Sequence, residues 1–341
     1  MSIALKLATQ NDAHKWNEIV ERDPQGNFFD RFEWCQGLGV ISKKIKPLPL
    51  FIEEDGKVID VFPLCLIRNS SRKSLESLPF SDYGGGPFFR KKAMLECPEF
   101  FGEFINNIIE FGSKNDCLNV SIRRAYFQDL INKNIVKKPV ITDTNTCTFI
   151  ISLQQEIDHI YNGLKKSRRT SVKEGKKRGG IVRQAENLKD LQNYYEIYVH
   201  TMNRLKSNPL PYRFFEYLWN VFNPKNEVRI FMAEYNNKPI AGILQFIYKK
   251  VCYWTGNVSL EEYWNKRPTD LLLWHSIEWA VENNLELFDM GGTANDPTSG
   301  HYFFKETWGG KKRTLYNYHI ILQPKKWKLY KFVAKFVNKL T

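Results

Sequence analysis

The sequence predicts an α/β protein of the α+β kind, built as two tandem domains that each carry a mixed, mostly antiparallel sheet flanked by helices. Three observations carry that prediction. Two segments, LPLFIEEDGKVIDVFPLCLI (48–67) and VRIFMAEYNNKPIAGILQFI (228–247), share one hairpin layout. Their turns hold Asp-Gly and Asn-Asn, which supply the positive-φ residues that short hairpin loops need. Each hairpin is later followed by an amphipathic helix and a short hydrophobic strand, FFGEFINNIIEFGSKNDCLNVSI (100–122) and LLLWHSIEWAVENNLELFDM (271–290). In the first helix Phe104, Ile105, Ile108 and Phe111 recur at helical spacing, and in the second Leu273, Ile277, Ala280 and Val281 do. The same order of elements twice argues for duplicated domains.

The boundary falls near residue 150, where TNTCTFIISL (144–153) reads as a strand. Residues 1–150 form the first domain and 151–322 the second, with a basic helix over 160–180 that stops at Gly179-Gly180. A helix AENLKDLQNYYEIYVHTMNRL follows, and SNPLPYRFFEYLWNVF restarts after prolines with another. Residues 323–341 form a C-terminal helix in which Leu329, Val333, Phe336, Val337 and Leu340 share one face. Lys328, Lys331, Lys335 and Lys339 share another, a pattern that suits either an anionic membrane surface or packing on the domain.

Composition bounds the partners. The 341 residues are 43% hydrophobic with 24 Phe, 16 Tyr and 9 Trp, enough for a large core and against disorder. A net charge of +13 points to an anionic partner such as nucleic acid, a nucleotide-linked substrate or a lipid headgroup. Cys35, Cys65, Cys97, Cys117, Cys147 and Cys252 are scattered without CxxC, as expected of reduced thiols in a cytoplasmic protein. No stretch approaches the ~20 apolar residues of a spanning helix. HExxH, Cys/His zinc spacing, GxSxG and an EF-hand loop are absent from the sequence, so neither metal nor serine-hydrolase chemistry is expected.

The densest charge lies in LKKSRRTSVKEGKKRGG, where Lys165, Lys166, Arg168, Arg169, Lys173, Lys176, Lys177 and Arg178 have Glu174 as the one local acid. On a helix Lys166, Arg169, Lys173 and Lys176 or Lys177 align on one face and repel unless an anion answers them, a phosphate-binding pattern. LPFSDYGGGPFF (78–89) reads as a structural turn, matching neither a P-loop nor a dinucleotide fingerprint. Pro268 opens a helix, whose N-terminus can receive an anion. In GHYFFKETWGG (300–310) a cation, Lys305, stands among aromatic residues that favour burial.

Together the basic helix ending in Gly-Gly, YYEIYVHTMNR, PYRFF, KPIAG, YWTG, PTDLLLW, FDMGG and FKETWGG resemble the Fem-type aminoacyltransferases and their relatives in the wider acetyltransferase superfamily. The likeness covers most of the chain and is strongest over 144–320. It implies two tandem GNAT-like domains and transfer of an acyl group to an amine. The donor is aminoacyl-tRNA in Fem-type members and an activated acyl group such as acyl-CoA in other relatives. The acceptor is a nucleotide- or lipid-linked cell-envelope precursor in the first case and a cell-surface sugar or lipid in the second, with no cofactor beyond the donor. WNKRPTDLL stands where an acetyltransferase has its glycine-rich pyrophosphate loop.

Through that resemblance Lys305 maps to the lysine that stabilises charge at the transfer centre. Lys166, Arg168, Arg169 and Lys173 map to phosphate contacts, and Tyr83, Tyr212, Arg213, Trp254, Tyr302 and Phe304 to the substrate's surroundings. Asp289, Asp82 or the substrate itself is available to take the proton the amine must lose. The expected location is cytoplasmic, at the inner face of the membrane if the C-terminal helix binds there. A non-catalytic RNA- or membrane-binding protein with the same fold is the alternative from another class.

Overall fold

The structure, a computed structural model, describes residues 2–69, 72–82, 85, 98–124 and 136–340. Among them the chain forms two units, Met1–Thr144 with Leu315–Thr341, and Asn145–Thr314. The division differs from the boundaries at 150 and 322 expected from sequence. The last strand, β13 (Lys311–Ile321), pairs antiparallel with β5 (Asn119–Arg124) from Tyr316 to Ile321, which returns the C-terminal segment to the first unit. A strand partner so distant in sequence leaves no local signal.

In the first unit the strand order is β1 (Ile3–Leu7), β2 (Ile45–Glu54), β3 (Lys57–Arg68), β4 (Lys73–Ser77), β5, β13. Its pairings are antiparallel except β4 with β5. The β2–β3 turn is the expected one, with Asp55 at φ 46° and Gly56 at φ 79°. On one face α3 (Pro98–Lys114) packs Phe100, Phe104, Ile105 and Ile108 against Leu50, Phe62, Leu64, Leu75 and Val120. Helices α1 (Ala13–Arg22) and α2 (Phe32–Ile41) bring Trp16, Phe32 and Phe51 together, with ring centroids 5.9 and 5.7 Å from Trp16.

The second unit repeats the plan. Its order runs β6 (Val140–Ser152), β11 (Leu287–Asp289), β10 (Val251–Ser259), β9 (Lys238–Tyr248), β8 (Val228–Tyr235), β7 (Ile181–Gln184), and β12 (Thr293–Ala294) pairs β6. Only β10 and β11 pair in parallel among these strands. The β8–β9 turn again places both central residues left-handed, Asn236 at 51° and Asn237 at 60°. One face carries α8 (Pro268–Glu282), whose Leu272, Leu273, Ile277 and Ala280 join Phe231, Ile243, Cys252 and Phe288 in the core. Elsewhere α6 (Leu188–Arg204) lays Tyr194 where glycine is required. A Cβ at Gly242 would stand 2.6 Å from its ring, and one at Gly256 2.3 Å from its hydroxyl.

The basic helix is not continuous. The chain forms α4 (Ile157–Gly163), breaks at Leu164-Lys165, and resumes as α5 (Lys166–Lys177). Leu164 is buried at the break, and the Lys165 amide donates to the Thr307 carbonyl at 3.0 Å. The five described cysteines are all free and buried.

Candidate active site

A cavity of about 460 Å³ opens in the second unit where two strands part. β10 follows β11 only from Val251 to Tyr253, so Trp254, Asn257 and Ser259 lose that neighbour and line the cavity. A bulge between Thr255 and Val258 adds one residue to β10, with Gly256 at φ 55°, and re-aims Asn257. The N-terminus of α8 contributes Arg267, Pro268, Thr269 and Asp270, and α9 (Gly300–Glu306) contributes Gly300, His301, Phe304 and Lys305. Arg204 and Trp264 complete the lining. Arg267 holds a left-handed φ of 56°, so Pro268 can open the helix and leave the next amides without helical partners.

Lys305 is 8% exposed. Its Nζ donates to the carbonyls of Gly291 and Gly292 at 2.8 and 2.9 Å and stands 5.3 Å from the centre of the Trp254 ring. Two carbonyl dipoles and an aromatic face thus surround the ammonium group. The Gly291-Gly292 turn is itself held. Asp289, 1% exposed, accepts from the Gly291 amide at 3.0 Å and from the Thr148 hydroxyl at 2.7 Å. Asp289 thereby braces the turn whose carbonyls receive the lysine. At the far end of the motif, Gly309 adopts φ 78°, and a Cβ there would meet the Gly163 carbonyl at 2.8 Å.

A stack supports the same wall. Trp254 and Phe304 lie nearly parallel, 26° apart with centroids separated by 6.3 Å. The Arg168 guanidinium covers Phe304 at 5.1 Å and pairs with Asp270 at 2.7 Å. Burial pushes the Asp270 carboxyl above its ordinary range, opposed by the nearby Arg168 and Arg267 charges.

The structure brings Lys305, Trp254 and Phe304 together, with Asp289 and Arg168 immediately behind them. The other expected residues go elsewhere. Arg169 donates to the Asn162 and Leu164 carbonyls and so closes the end of α4. Lys166 and Lys173 lie with Lys177 on the exposed face of α5. Lys165, Lys176 and Arg178 pair with Glu306, Glu278 and Glu174 at 3.0, 3.2 and 2.7 Å. The continuous cationic face expected from sequence is therefore reduced to three lysines, because neighbouring acids and helix-end carbonyls engage the rest. Tyr302 is a core residue, its ring 5.1 Å from that of Phe149. Tyr212 begins α7 (Tyr212–Phe222), 5.2 Å from Tyr195, and Arg213 beside it is exposed. Asp82 is half-buried in the first unit, and Tyr83 lies outside the described residues.

Arg204 and Asp270 lie within the YYEIYVHTMNR and PTDLLLW motifs, but only the fold brings them, with Asn257 and Arg267, to the cavity. Three buried polar atoms in the lining, Arg204 Nε, Trp254 Nε1 and Asn257 Oδ1, have no hydrogen-bond partner among the described residues. The amide of Gln245, paired across the ladder with Trp254, is fully buried and likewise unpartnered there. Unsatisfied buried groups are costly in a folded core and concentrate where ligands supply the missing bonds. Among the described residues no cluster of His, Cys, Asp or Glu could hold a metal ion.

The fold is that of two GNAT-like units in tandem. Residues 163–306 match the acetyltransferase (GNAT) domain family. Over 97% of its length the chain superposes on 99% of FemX, with a TM-score of 0.68 at 14% identity. It also resembles the C-terminal domain of a putative lysylphosphatidylglycerol synthetase from Agrobacterium fabrum (95% of each chain, TM-score 0.59, 12% identity). A third likeness is to a tandem GNAT protein of the clavulanic acid biosynthesis pathway (95% of this chain, 99% of that one, TM-score 0.56, 10% identity). No curated protein sequence matches the chain. At these identities the likeness is one of fold.

Proposed function

We propose that the protein transfers an aminoacyl group from aminoacyl-tRNA to an amine of a nucleotide- or lipid-linked cell-envelope precursor. The observation that carries this reading is Lys305, a buried cation held by two backbone carbonyls in the wall of the cavity. The acceptor nitrogen attacks the ester carbonyl, and the carbonyl oxygen becomes an oxyanion. As the C–O bond breaks, the ribose hydroxyl leaves with a proton and an amide remains. A fixed ammonium in a poorly hydrated wall stabilises that oxyanion without reorganising, and losing one such group costs about 100-fold in rate.

No side chain of the cavity needs to be the sole base, because the departing ribose oxygen can take up the proton the amine releases. The exposed lysines of α5 and the net charge of +13 suit the phosphates of tRNA or of the acceptor. Donor and acceptor supply all the reacting atoms, so the reading asks for no cofactor, and it places the protein in the cytoplasm. The likeness to FemX agrees with it.

A second reading, N-acylation from acyl-CoA, draws on the α8 N-terminus at the cavity, where Thr269 and Asp270 sit in the first turn. One experiment separates the two. The protein is incubated with an amine-bearing UDP-linked precursor and either tRNA charged with labelled amino acid or labelled acetyl-CoA. Label that moves from tRNA into a hydroxylamine-resistant product, and fails to move with Lys305→Met, is the expected result. Transfer from acetyl-CoA alone would replace it with the second reading. No transfer from either donor would leave a non-catalytic binding protein.

A further inference from the structure

We propose that the C-terminal helix binds the surface of an anionic lipid bilayer, lying in the interface without crossing it. Among the described residues the helix, α10 (Pro324–Leu340), is anchored to the first unit through one side of its first turns. Its half-buried residues are Trp327 and Tyr330, whose rings meet at 5.9 Å, and Arg72 lies over Tyr330 at 4.9 Å. Lys326 reaches Asp116 at 3.7 Å, and Gln323, just before the helix, donates to the same carboxylate at 2.9 Å. These interactions set the orientation of the first turns.

What the anchored side leaves outward is apolar. Leu329 is 64% exposed and Val333 51%, and Phe332 is also exposed. At about 100° per residue these positions form one stripe, and the sequence continues the same spacing with Phe336, Val337 and Leu340. Beside that stripe Lys328 and Lys331 are exposed on one flank, and Lys325 precedes them. Residues 324–341 contain six lysines and no acid.

Charge decides what covers the stripe. A second copy of the helix would set lysines against lysines, whereas an anionic lipid surface answers them. A bilayer also takes up aliphatic side chains at the depth of its headgroups while the lysine stems reach outward to the phosphates. The segment is too charged to span: no helix among the described residues is long and apolar enough to cross a membrane. The inference stands apart from the acyl-transfer reading, because none of its residues lines the cavity.

The test is co-sedimentation of the full chain with vesicles of phosphatidylcholine alone, or of phosphatidylcholine mixed with phosphatidylglycerol. Two variants accompany it, Leu329→Asp/Val333→Asp and Lys325→Gln/Lys328→Gln/Lys331→Gln. All five side chains are exposed, so the variants should match the parent in circular dichroism and thermal unfolding. The expected result is binding to the anionic vesicles only, weakened about five-fold per lysine removed and lost in the double aspartate variant. Binding should also fall as salt shortens the screening length. Equal binding to both vesicle types, or anionic binding unchanged in either variant, would overturn the proposal. So would no vesicle binding together with self-association, or with capture of an acidic protein, that the aspartate variant abolishes.

Discussion

Lys305 and Asp289 meet at the Gly291-Gly292 turn, the lysine on its two carbonyls and the carboxylate on the Gly291 amide. Replacing Lys305 by Met keeps most of the side-chain volume and removes the cation. Transfer rate should fall by about 100-fold or more while the folded state persists. Measuring kcat beside the thermal midpoint checks this: a rate within a few-fold of the parent would remove Lys305 from the chemistry. Replacing Asp289 by Ala leaves the Gly291 amide and the Thr148 hydroxyl without their shared acceptor in a buried site. Stability should fall by about 1–3 kcal/mol, with a smaller loss of rate that follows the displaced turn. A rate collapse in the still-folded Asp289→Asn protein, restored at higher pH, would instead mark this carboxylate as the base. Lys305 was legible in the sequence from its aromatic frame and the Gly-Gly turn after it. Its carbonyl partners were not, since nothing in FDMGG tells which side chain the turn will receive.

At the scale of elements, the join between α5 and α8 rests on Arg168 and Asp270. Removing Arg168 strands a buried carboxylate, a loss of about 3 kcal/mol at neutral pH. The sign of its pH dependence is fixed by the direction of the Asp270 shift. Burial raises its folded value above the ordinary 3.8, so the folded state takes up a proton before the unfolded chain does. Stability therefore falls as pH rises through that interval, and more steeply without Arg168. The gap in thermal midpoint between Arg168→Met and the parent should be widest near pH 7 and narrow toward pH 5. A gap constant with pH would show that the pair contributes packing and not charge.

The outer face of α5 has its own prediction. Lys166→Gln/Lys173→Gln/Lys177→Gln should lower the slope of log affinity for tRNA against log salt by about 2, roughly 0.7–0.9 for each phosphate no longer neutralised. A fluorescence titration at several salt concentrations reads it, and an unchanged slope would put tRNA elsewhere. Helical spacing alone grouped Arg169 with these lysines. The break at Leu164 instead turned Arg169 to the end of α4, a consequence of burying that leucine and of the Lys165 amide bonding to Thr307.

For the whole molecule, two half-buried imidazoles bear on the acid limit, one in each unit. His275 packs edge-on to Phe231 at 4.9 Å, and His319 shares a 2.8 Å hydrogen bond with Ser121. Burial holds both below the ordinary value of 6.5, against the raising influence of nearby acids. The unfolded chain thus binds protons first, and stability is lost as pH falls below about 6.5. The thermal midpoint should drop between pH 7.5 and 5.5, and the His275→Gln/His319→Gln double variant should show a smaller drop by calorimetry. A drop equal to the parent's would assign the acid limit to other groups.

Local chemistry determined much of this protein. Asp55-Gly56 and Asn236-Asn237 dictated their hairpins through positive φ, apolar spacing dictated the helices between them, and the repeated order dictated the strand-and-helix plan that both units share. Those features depend on residues a few positions apart, where conformational preference and hydrophobic period act directly. The tertiary structure decided what depends on partners distant in the chain. β13 joins the first unit through β5. The parting of β10 from β11 opens the cavity, and Asp270 holds Arg168 inward while Gly291 and Gly292 receive Lys305. Each is a choice among possible partners, settled only when burial makes every charge and every carbonyl find one.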